Sequence, residues 1–271
     1  MAVKTVKASI NGQEYNLTYD ETSGSYKATI TAPSKSSYNN NNGHYYPVSV
    51  TATDDAGNST TVTDTDTTFG DDLKLKVKEK VKPTITVTYP TASATITSAT
   101  PTITWTVIDD DSGIDEATIA IKIDSGTYVT SGITTTATTK GFNCSYKIPT
   151  SLSNGAHSFS LKVSDHDGNA ATELVTSFTV DTVPPALTIT SPADGLITNK
   201  ESLTVSGTTN DVTSTPVTVT VNGTPVTVQS NGSFTTTVTL DTGAPVFQEI
   251  SIIPNPVDAG KTYVLSVKVT D

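Results

Sequence analysis

The sequence predicts an all-β protein built from tandem β-sandwich domains, and three observations support this prediction. Apolar and polar residues alternate along short runs such as F-S-L-K-V at residues 159–163, and a period of two is typical of strands with one buried face. Turns containing Gly and Asn separate these runs. Similar strand and turn sequences recur along the chain, while no amphipathic helical stretch with capping residues is found.

The clearest repeat is a pair of alternating strands joined by an Asp-x-x-Gly-Asn turn. Residues 158–180 contain this turn as D-H-D-G-N, beginning at Asp165, and residues 48–62 contain it as D-D-A-G-N, beginning at Asp54. A shorter echo, Y-V-L-S-V-K-V-T-D, ends at Asp271. These three copies indicate a repeat protein.

Composition excludes several classes of protein. The net charge of −11 argues against nucleic-acid binding, which requires a basic surface. A single cysteine, Cys144, excludes a framework of disulfides within the chain. No apolar run approaches the length that spans a membrane, and Met1 leads into a strand without a basic and apolar leader, so we expect neither membrane insertion nor a standard export signal.

The first predicted domain covers residues 1–82. Strands alternate with an Asn11-Gly12 turn and a turn at residues 20–24, and Asn-Gly between alternating runs is a strong hairpin signal. A polar loop leads to the hairpin at residues 48–62. The lysine-rich run at residues 73–82 alternates apolar residues with Lys and is predicted to be an edge or terminal strand.

The middle predicted domain covers residues 83–183 and has the length of an immunoglobulin-like sandwich. The sequence P-T-I-T-V-T-Y-P at residues 83–90 matches P-A-L-T-I-T-S-P at residues 185–192, a spacing of about one hundred residues. Seven or so short strands are expected here. Trp105 lies on the second of them and is predicted to be in the core.

The third predicted domain, residues 184–243, is related to the first. Its V-N-G-T-P-V-T-V and N-G-S-F segments align with I-N-G-Q-E-Y-N-L and S-G-S-Y near the start of the chain. The first domain lacks opening strands and the third lacks the closing hairpin. We expect the domains to form a rod-like array joined at proline-flanked boundaries.

Residues 244–271 contain only two strands, which are marginal in water without a partner sheet. They complete a sheet either in the third domain of the same chain or, by strand addition, in another chain. The candidate assembly residues are the apolar positions of these strands: Phe247, Ile250, Ile252, Tyr263, Leu265 and Val267.

The motifs D-D-A-G-N, S-D-H-D-G-N, V-D-T-V-P-P-A-L-T-I-T-S-P-A-D-G and V-N-G-T-P-V-T-V resemble bacterial and phage immunoglobulin-like repeats. This resemblance implies a structural component of a phage tail or phage-tail-like particle (a baseplate, fibre or decoration protein) that is released by lysis. Its implied partners are other proteins of the particle, and a homo-oligomer is a further expectation. The alternative is a bacterial cell-surface adhesin fragment that binds host glycan or protein. A carbohydrate-binding accessory of an enzyme is a third interpretation, but Trp105 is the only tryptophan.

No catalytic motif is present, so the chain is not expected to be an enzyme. The three histidines, His44, His157 and His166, occur in no known catalytic pattern. His44 and His157 lie just after a Gly at the entrance to equivalent strands, which favours a feature of the repeat over a site. Cys144 alternates within a strand, which favours an inert buried thiol over a nucleophile.

Two ligand-binding hypotheses remain open. Hard oxygen ligands of the kind that Ca²⁺ prefers occur in three acidic loops, although without the EF-hand spacing: Asp54 and Asp55; Asp109, Asp110, Asp111, Asp115 and Glu116; Asp165 and Asp167. The same aspartates are also explained as turn caps that bond their own backbone. The loop with Tyr38, Tyr45, Tyr46 and four asparagines is a candidate glycan or receptor site, but such loops are equally common as plain connectors.

Overall fold

Strands account for almost all of the regular structure in this computed structural model, which describes residues 2–211, 216–240, 243, 246–253, 255–256 and 258–270. The chain divides into two compact units, residues 1–182 and 183–271. The all-β prediction is confirmed. Among the described residues, no helix has the length and apolar character needed to cross a membrane.

The first sheet is formed by six strands: β1 (Val3–Ile10), β2 (Gln13–Asp20), β3 (Ser25–Lys27), β4 (Tyr46–Asp54), β5 (Ser59–Val62) and β6 (Lys74–Leu75). Their order is β3-β2-β1-β4-β5, and β6 pairs with the start of β4. Val6, Ala8 and Ile10 alternate along the central strand β1 and are buried on one face. Asn11 and Gly12, with φ of 48° and 75°, make the tight reversal from β1 to β2 that the Asn-Gly signal predicted.

The predicted strand at residues 73–82 is wrong for most of its length. Only Lys74–Leu75 is a strand, preceded by a 3-10 helix at Gly70–Leu73. After Leu75 the backbone forms hydrogen bonds with loops rather than with a neighbouring strand. The Val77 carbonyl accepts from the Ser37 N–H at 2.9 Å, and the Glu79 N–H donates to Asp167 Oδ2 at 2.9 Å. Alternation with lysine here marks a connecting segment whose half-buried side carries Val77 and Glu79.

The middle sandwich contains eight strands: β7 (Thr84–Tyr89), β8 (Thr95–Ile96), β9 (Thr102–Ile108), β10 (Ile114–Ile123), β11 (Ile133–Thr138), β12 (Gly141–Lys147), β13 (Gly155–Asp165) and β14 (Leu174–Val180). One sheet has the order β11-β12-β9-β7 and the other β10-β13-β14-β8. Inward-facing residues of both sheets form the main hydrophobic core of the chain. Trp105 is 1% exposed, which confirms its predicted core position.

The described residues of the second unit form three small sheets. Its strands are β15 (Ala186–Ser191), β16 (Ser202–Asn210), β17 (Val219–Val221), β18 (Thr224–Val226), β19 (Ser233–Thr239), β20 (Val246–Ile253) and β21 (Val264–Thr270). Strands β15, β16 and β19 form one sheet, β17 pairs with β18, and β20 pairs with β21. We call the last pair the C-terminal hairpin.

Candidate functional site

The two Asp-x-x-Gly-Asn turns fold in the same way, around the carboxylate of the first residue. Asp54 accepts hydrogen bonds from the backbone N–H and the side-chain amide of Asn58, both at 2.9 Å. Asp165 makes the same two contacts with Asn169, both at 2.7 Å. Gly168 has a φ of 92°, which disfavours a side chain at this position. The repeat therefore encodes a turn that holds itself together through hydrogen bonds.

The second of these turns lies at a junction between the first sheet and the middle sandwich. The junction consists of the loop at 35–44 and the connecting segment at 77–81 on one side, and the turns at 109–113 and 165–169 on the other. The backbone N–H of Ser36 donates to both carboxylate oxygens of Asp111, at 3.1 and 3.2 Å. Asn39 Nδ2 donates to the Asp111 carbonyl at 2.6 Å. A single aspartate thus anchors the loop.

The connecting segment is held by the turn at 165–169. In addition to the bond from the Glu79 N–H to Asp167, Lys78 Nζ donates to the Asp167 carbonyl at 3.0 Å. Asn169 Nδ2 donates to the Glu79 carbonyl at 3.1 Å and to its Oε1 at 3.0 Å. The turn therefore bonds its own backbone and the chain that leads into its domain.

Three stacked rings cross the same junction. The Tyr38 ring lies between the imidazoles of His44 and His166, with centroid distances of 4.0 and 3.9 Å and interplanar angles of 10° and 7°. His44 belongs to the loop of the first domain and His166 to the turn of the middle sandwich. Both faces of the Tyr38 ring are covered, so this residue contributes to domain contact.

A group of carboxylates lies beneath these contacts. One oxygen from each of Glu79, Asp109 and Asp165 lies within 4.8 Å of the others. Asp165 is 2% exposed and Asp109 is 7% exposed. The Asp109 carboxylate accepts from the Gly113 N–H at 2.8 Å, and Ser112 Oγ donates to Glu79 Oε1 at 3.3 Å. These hydrogen bonds explain how three acidic side chains remain close together away from solvent.

The protonation of this group follows from burial and hydrogen bonding. Burial raises the pKa of Glu79, and its hydrogen bond to Asp165 raises it further. Burial also acts to raise the pKa of Asp165, but the hydrogen bonds from Asn169 and Glu79 outweigh it and hold that pKa below its ordinary value. The two pKa values therefore move apart, so that Glu79 takes up a proton more readily than Asp165 as the pH falls.

Of the acidic residues that the sequence proposed as calcium ligands, the structure brings Asp109 and Asp165 together. Asp110 instead pairs with Lys140 Nζ at 2.7 Å, and Asp54 caps its own turn. Three carboxylates supply part of the six to eight oxygen ligands that Ca²⁺ takes, and carbonyls or water would have to supply the rest. Calcium binding stays a prediction.

Glu79 was missed by sequence reasoning, although one signal points to it. It is the single acidic residue in the lysine-rich run at residues 74–82. A single carboxylate among lysines interrupts the charge pattern of a solvent-exposed strand. Here the Glu79 carboxylate accepts a hydrogen bond from the side-chain amide of Asn169.

The other two tyrosines of the candidate binding loop lie in different environments. The Tyr45 hydroxyl donates to Asp64 Oδ2 at 2.9 Å, and this hydrogen bond raises the pKa of Tyr45. Tyr46 is 5% exposed, and its hydroxyl donates to the Lys35 carbonyl at 3.3 Å. The three tyrosines do not form one exposed patch. A glycan or receptor site at this loop stays a prediction.

Cys144 and His157 of the middle sandwich are both held by structural contacts. Burial raises the pKa of the Cys144 thiol to about 12, so it is not an activated nucleophile. His157 Nδ1 lies 2.8 Å from Asp124 Oδ2, and its Nε2 lies 2.9 Å from the Ser153 carbonyl. Burial acts to lower the pKa of His157, but the Asp124 and Ser153 hydrogen bonds outweigh it and raise that pKa. His157 is therefore held in place by two loops.

The candidate assembly residues lie in the C-terminal hairpin or at its edge. Ile250 pairs with Val267 and Ile252 with Leu265, so these four side chains share one face. Phe247 pairs with Val269 on the same face beyond a register shift. The apolar face consists of Phe247, Ile250, Ile252, Leu265, Val267 and Val269, and all of them are exposed, as is the neighbouring Tyr263.

Comparison with known families identifies three regions of the chain. Residues 2–71 and residues 79–182 match two models that are each described as a bacterial Ig-like domain. Residues 185–270 match the model of glucodextranase, domain B. None of these models describes a catalytic domain. No curated protein sequence matches the chain.

Among solved structures, the chain is similar to the fibronectin(III)-like modules of CbhA from Clostridium thermocellum, with 20% identity over 66% of this chain and 78% of that one and a TM-score of 0.29. CopC from Methylosinus trichosporium OB3b is 21% identical over 36% of this chain and 94% of its own, with a TM-score of 0.27. Latent PorU from Porphyromonas gingivalis is 15% identical over 98% of this chain and 29% of its own, with a TM-score of 0.33.

The fold of the middle sandwich and the two matches to bacterial Ig-like domains agree with each other. The predicted fold class, all-β with tandem immunoglobulin-like β-sandwich domains, is confirmed. Residues 2–71 and 79–182 are therefore similar to bacterial Ig-like domains.

Proposed function

We propose that the chain is a non-enzymatic structural protein whose Ig-like domains hold a fixed spacing within a phage tail or phage-tail-like particle. The observation that carries this proposal is the junction between the first sheet and the middle sandwich. Asp111, Asp167 and Asn169 each bond a segment of the first domain, and the Tyr38 ring is stacked across it.

A spacer of this kind requires domains that cannot turn freely relative to one another. Contacts between domains of one chain are commonly polar and permit motion. Here the contacts come from two separate segments of the first domain, and rotation about either one breaks hydrogen bonds at the other. Residues 1–182 accordingly form a single compact unit. A stiff connection transmits position and force, which is what a baseplate, fibre or decoration protein has to do.

Stiffness at the junction can be measured directly in the whole chain. Spin labels at Thr61 and Thr136, both exposed on strands, give a distance distribution between the first sheet and the middle sandwich. We expect one narrow distribution that broadens in a variant carrying Asp111→Ala and Asp167→Ala. Asp110→Ala is the matched control, because Asp110 pairs with Lys140 within the middle sandwich. A broad distribution in the unaltered chain would refute the proposed spacer role.

Location separates the particle from the cell-surface alternative. An antibody raised against residues 1–182 would be applied to fractions of the bacterium that carries the gene, before and after induced lysis. Signal in sedimented tail-like particles after lysis supports a particle component, whose partners are its other structural proteins. Signal on intact cells favours the adhesin, with a surface glycan or host protein as ligand, and overturns the particle assignment.

A further inference from the structure

The C-terminal hairpin has the geometry of a strand pair that has lost the rest of its sheet. In the second unit, β15 and β16 form an equivalent pair. Ala186 faces Asn210 and Leu187 faces Thr209 in that pair, as Val246 faces Thr270 and Phe247 faces Val269 in the hairpin. However, β16 carries a third strand, β19, on its other edge. Among the described residues, β21 carries none.

The first sheet lacks the neighbouring strand that its relative in the second unit has. Its sequence G-S-Y-K-A-T-I-T at residues 24–31 aligns with G-S-F-T-T-T-V-T at residues 232–239. In the second unit, Ser233–Thr239 forms β19 and pairs along its whole length with β16. In the first sheet, only Ser25–Lys27 is a strand. Residues 28–31 make no backbone hydrogen bond to another described residue. Among the described residues, no strand pairs with residues 28–31 in the way that β16 pairs with β19.

We propose that two copies of this chain join head to tail, with β21 of one copy pairing antiparallel with residues 25–31 of the other. The C-terminal hairpin then supplies the pair of strands that the first sheet lacks, and its apolar face covers the apolar face of that sheet. This is strand addition between identical chains.

The register follows from the pairing of β16 with β19. Leu203 faces Val238, Val205 faces Thr236 and Gly207 faces Phe234 in that pair. We transfer these pairs through the alignment of residues 24–31 with 232–239 and through the equivalence of β21 with β16. This places three apolar pairs on the buried face: Tyr263 with Ile30, Leu265 with Ala28, and Val267 with Tyr26. An aromatic residue opposite a valine also occurs on adjacent strands of the middle sandwich, where Phe142 faces Val107. The transferred register buries apolar side chains against each other throughout.

The receiving surface has the matching shape and chemistry. Ala8, Leu17, Tyr26 and Ile30 line an open groove on the first sheet. Tyr19, beside Tyr26 at a ring distance of 5.2 Å, is 52% exposed. Val6, Ala8 and Ile10 at the centre of this sheet are already buried, so the open part of the surface is its edge, near Tyr19 and residues 27–29.

The hairpin is amphipathic, which indicates which face would be covered. Phe247 is 64% exposed and Ile250 is 62% exposed on the apolar face. On the opposite face Glu249 pairs with Lys268, and Ser251 pairs with Ser266. This opposite face also carries exposed apolar residues at its ends, Val246, Ile253 and Val264, so only its middle is polar. Six exposed apolar side chains on one face are typical of a strand pair that packs on another sheet.

Completion within the same chain is the competing arrangement, since one family match covers residues 185–270 as a whole. In the structure the hairpin pairs with none of β15–β19. The head-to-tail proposal goes beyond the proposed function, because it holds for a particle component and for a surface protein alike.

The first test measures mass in solution for the 271-residue chain by light scattering over a range of concentrations. We expect dimers and longer head-to-tail oligomers that increase with concentration. Leu265→Glu on the apolar face should shift them to monomer, with dissociation at least tenfold more favourable. Ser266→Glu, on the polar face of the same strand, should leave them unchanged. Circular dichroism checks that both variants fold. A monomer at every concentration, or equal behaviour of the two variants, overturns the proposal.

The second test fixes the register and the partner. Two chains, one with Leu265→Cys and one with Ala28→Cys, are purified separately, mixed and oxidised. Cys144 is buried and stays unreactive. We expect a disulfide-linked heterodimer, because paired residues of adjacent strands lie within disulfide distance. Ser266→Cys mixed with Ala28→Cys should give far less of it. Equal yields from both mixtures, or no linked species, exclude the proposed pairing and favour completion within one chain.

Discussion

Replacing Tyr38 with alanine tests whether the ring stack joins the first sheet to the middle sandwich. The Tyr38 ring lies 4.0 Å from His44 and 3.9 Å from His166. Stacked aromatic pairs contribute about 0.5–1.5 kcal/mol each beyond the area that they bury, so the loss of two should cost about 2 kcal/mol. Tyr38→Phe is a matched control, because the Tyr38 hydroxyl has no hydrogen-bond partner among the described residues.

Hydrogen exchange in the whole chain reads out this cost locally. Amides of β1 and β4 exchange when the first sheet opens, and a loss of about 2 kcal/mol in opening free energy corresponds to roughly 30-fold faster exchange. Amides of β13 in the middle sandwich should change little, because its core lies away from the stack. Equal exchange rates in the alanine and phenylalanine variants would show that the stack does not stabilise the junction.

Three further predictions concern the buried polar groups. The raised pKa of Glu79 means that its contribution to stability is complete below its ordinary pKa of 4.5 and is lost as the pH rises through the pKa of the folded state. Glu79→Gln should therefore remove a fall in stability with rising pH, and urea unfolding at several pH values would show or disprove this. Asp165→Ala should cost about 2–4 kcal/mol, since it leaves the Asn169 groups unpaired in a buried turn, whereas Asp54→Ala in the exposed turn should cost about 1 kcal/mol; equal losses in thermal unfolding would contradict this. Cys144 should resist a maleimide in the folded chain and react in urea, and rapid labelling without denaturant would show that its burial is overstated.

The features predicted from sequence are those determined by neighbouring residues. Alternation gave the strands, and the Asn11-Gly12 and Asp165–Asn169 turns form as expected because each is stabilised within a few residues. Trp105 is in the core because a large apolar residue on an inward strand position has no other favourable place.

The features that sequence reasoning missed depend on residues far apart in the chain. Glu79 lies 90 positions from Asn169, and nothing in either local pattern indicates that they meet. Tyr38 resembled a recognition residue because an aromatic ring in a polar loop is typical of binding sites, but two histidines cover it. The lysine-rich run has the period of a strand, yet its backbone partners are loops, which alternation cannot distinguish.

The turn at 165–169 has a consequence for how such proteins change in length. It bonds the segment that leads into its own domain, at Lys78 and Glu79, so the middle sandwich itself carries the contacts that fix the first sheet before it. A gene duplication that copies a domain together with its leading segment would also copy the residues that form the junction. Repeats of this design can therefore be added or removed in evolution without new contacts having to arise, and the reach of the protein can change in steps of one domain.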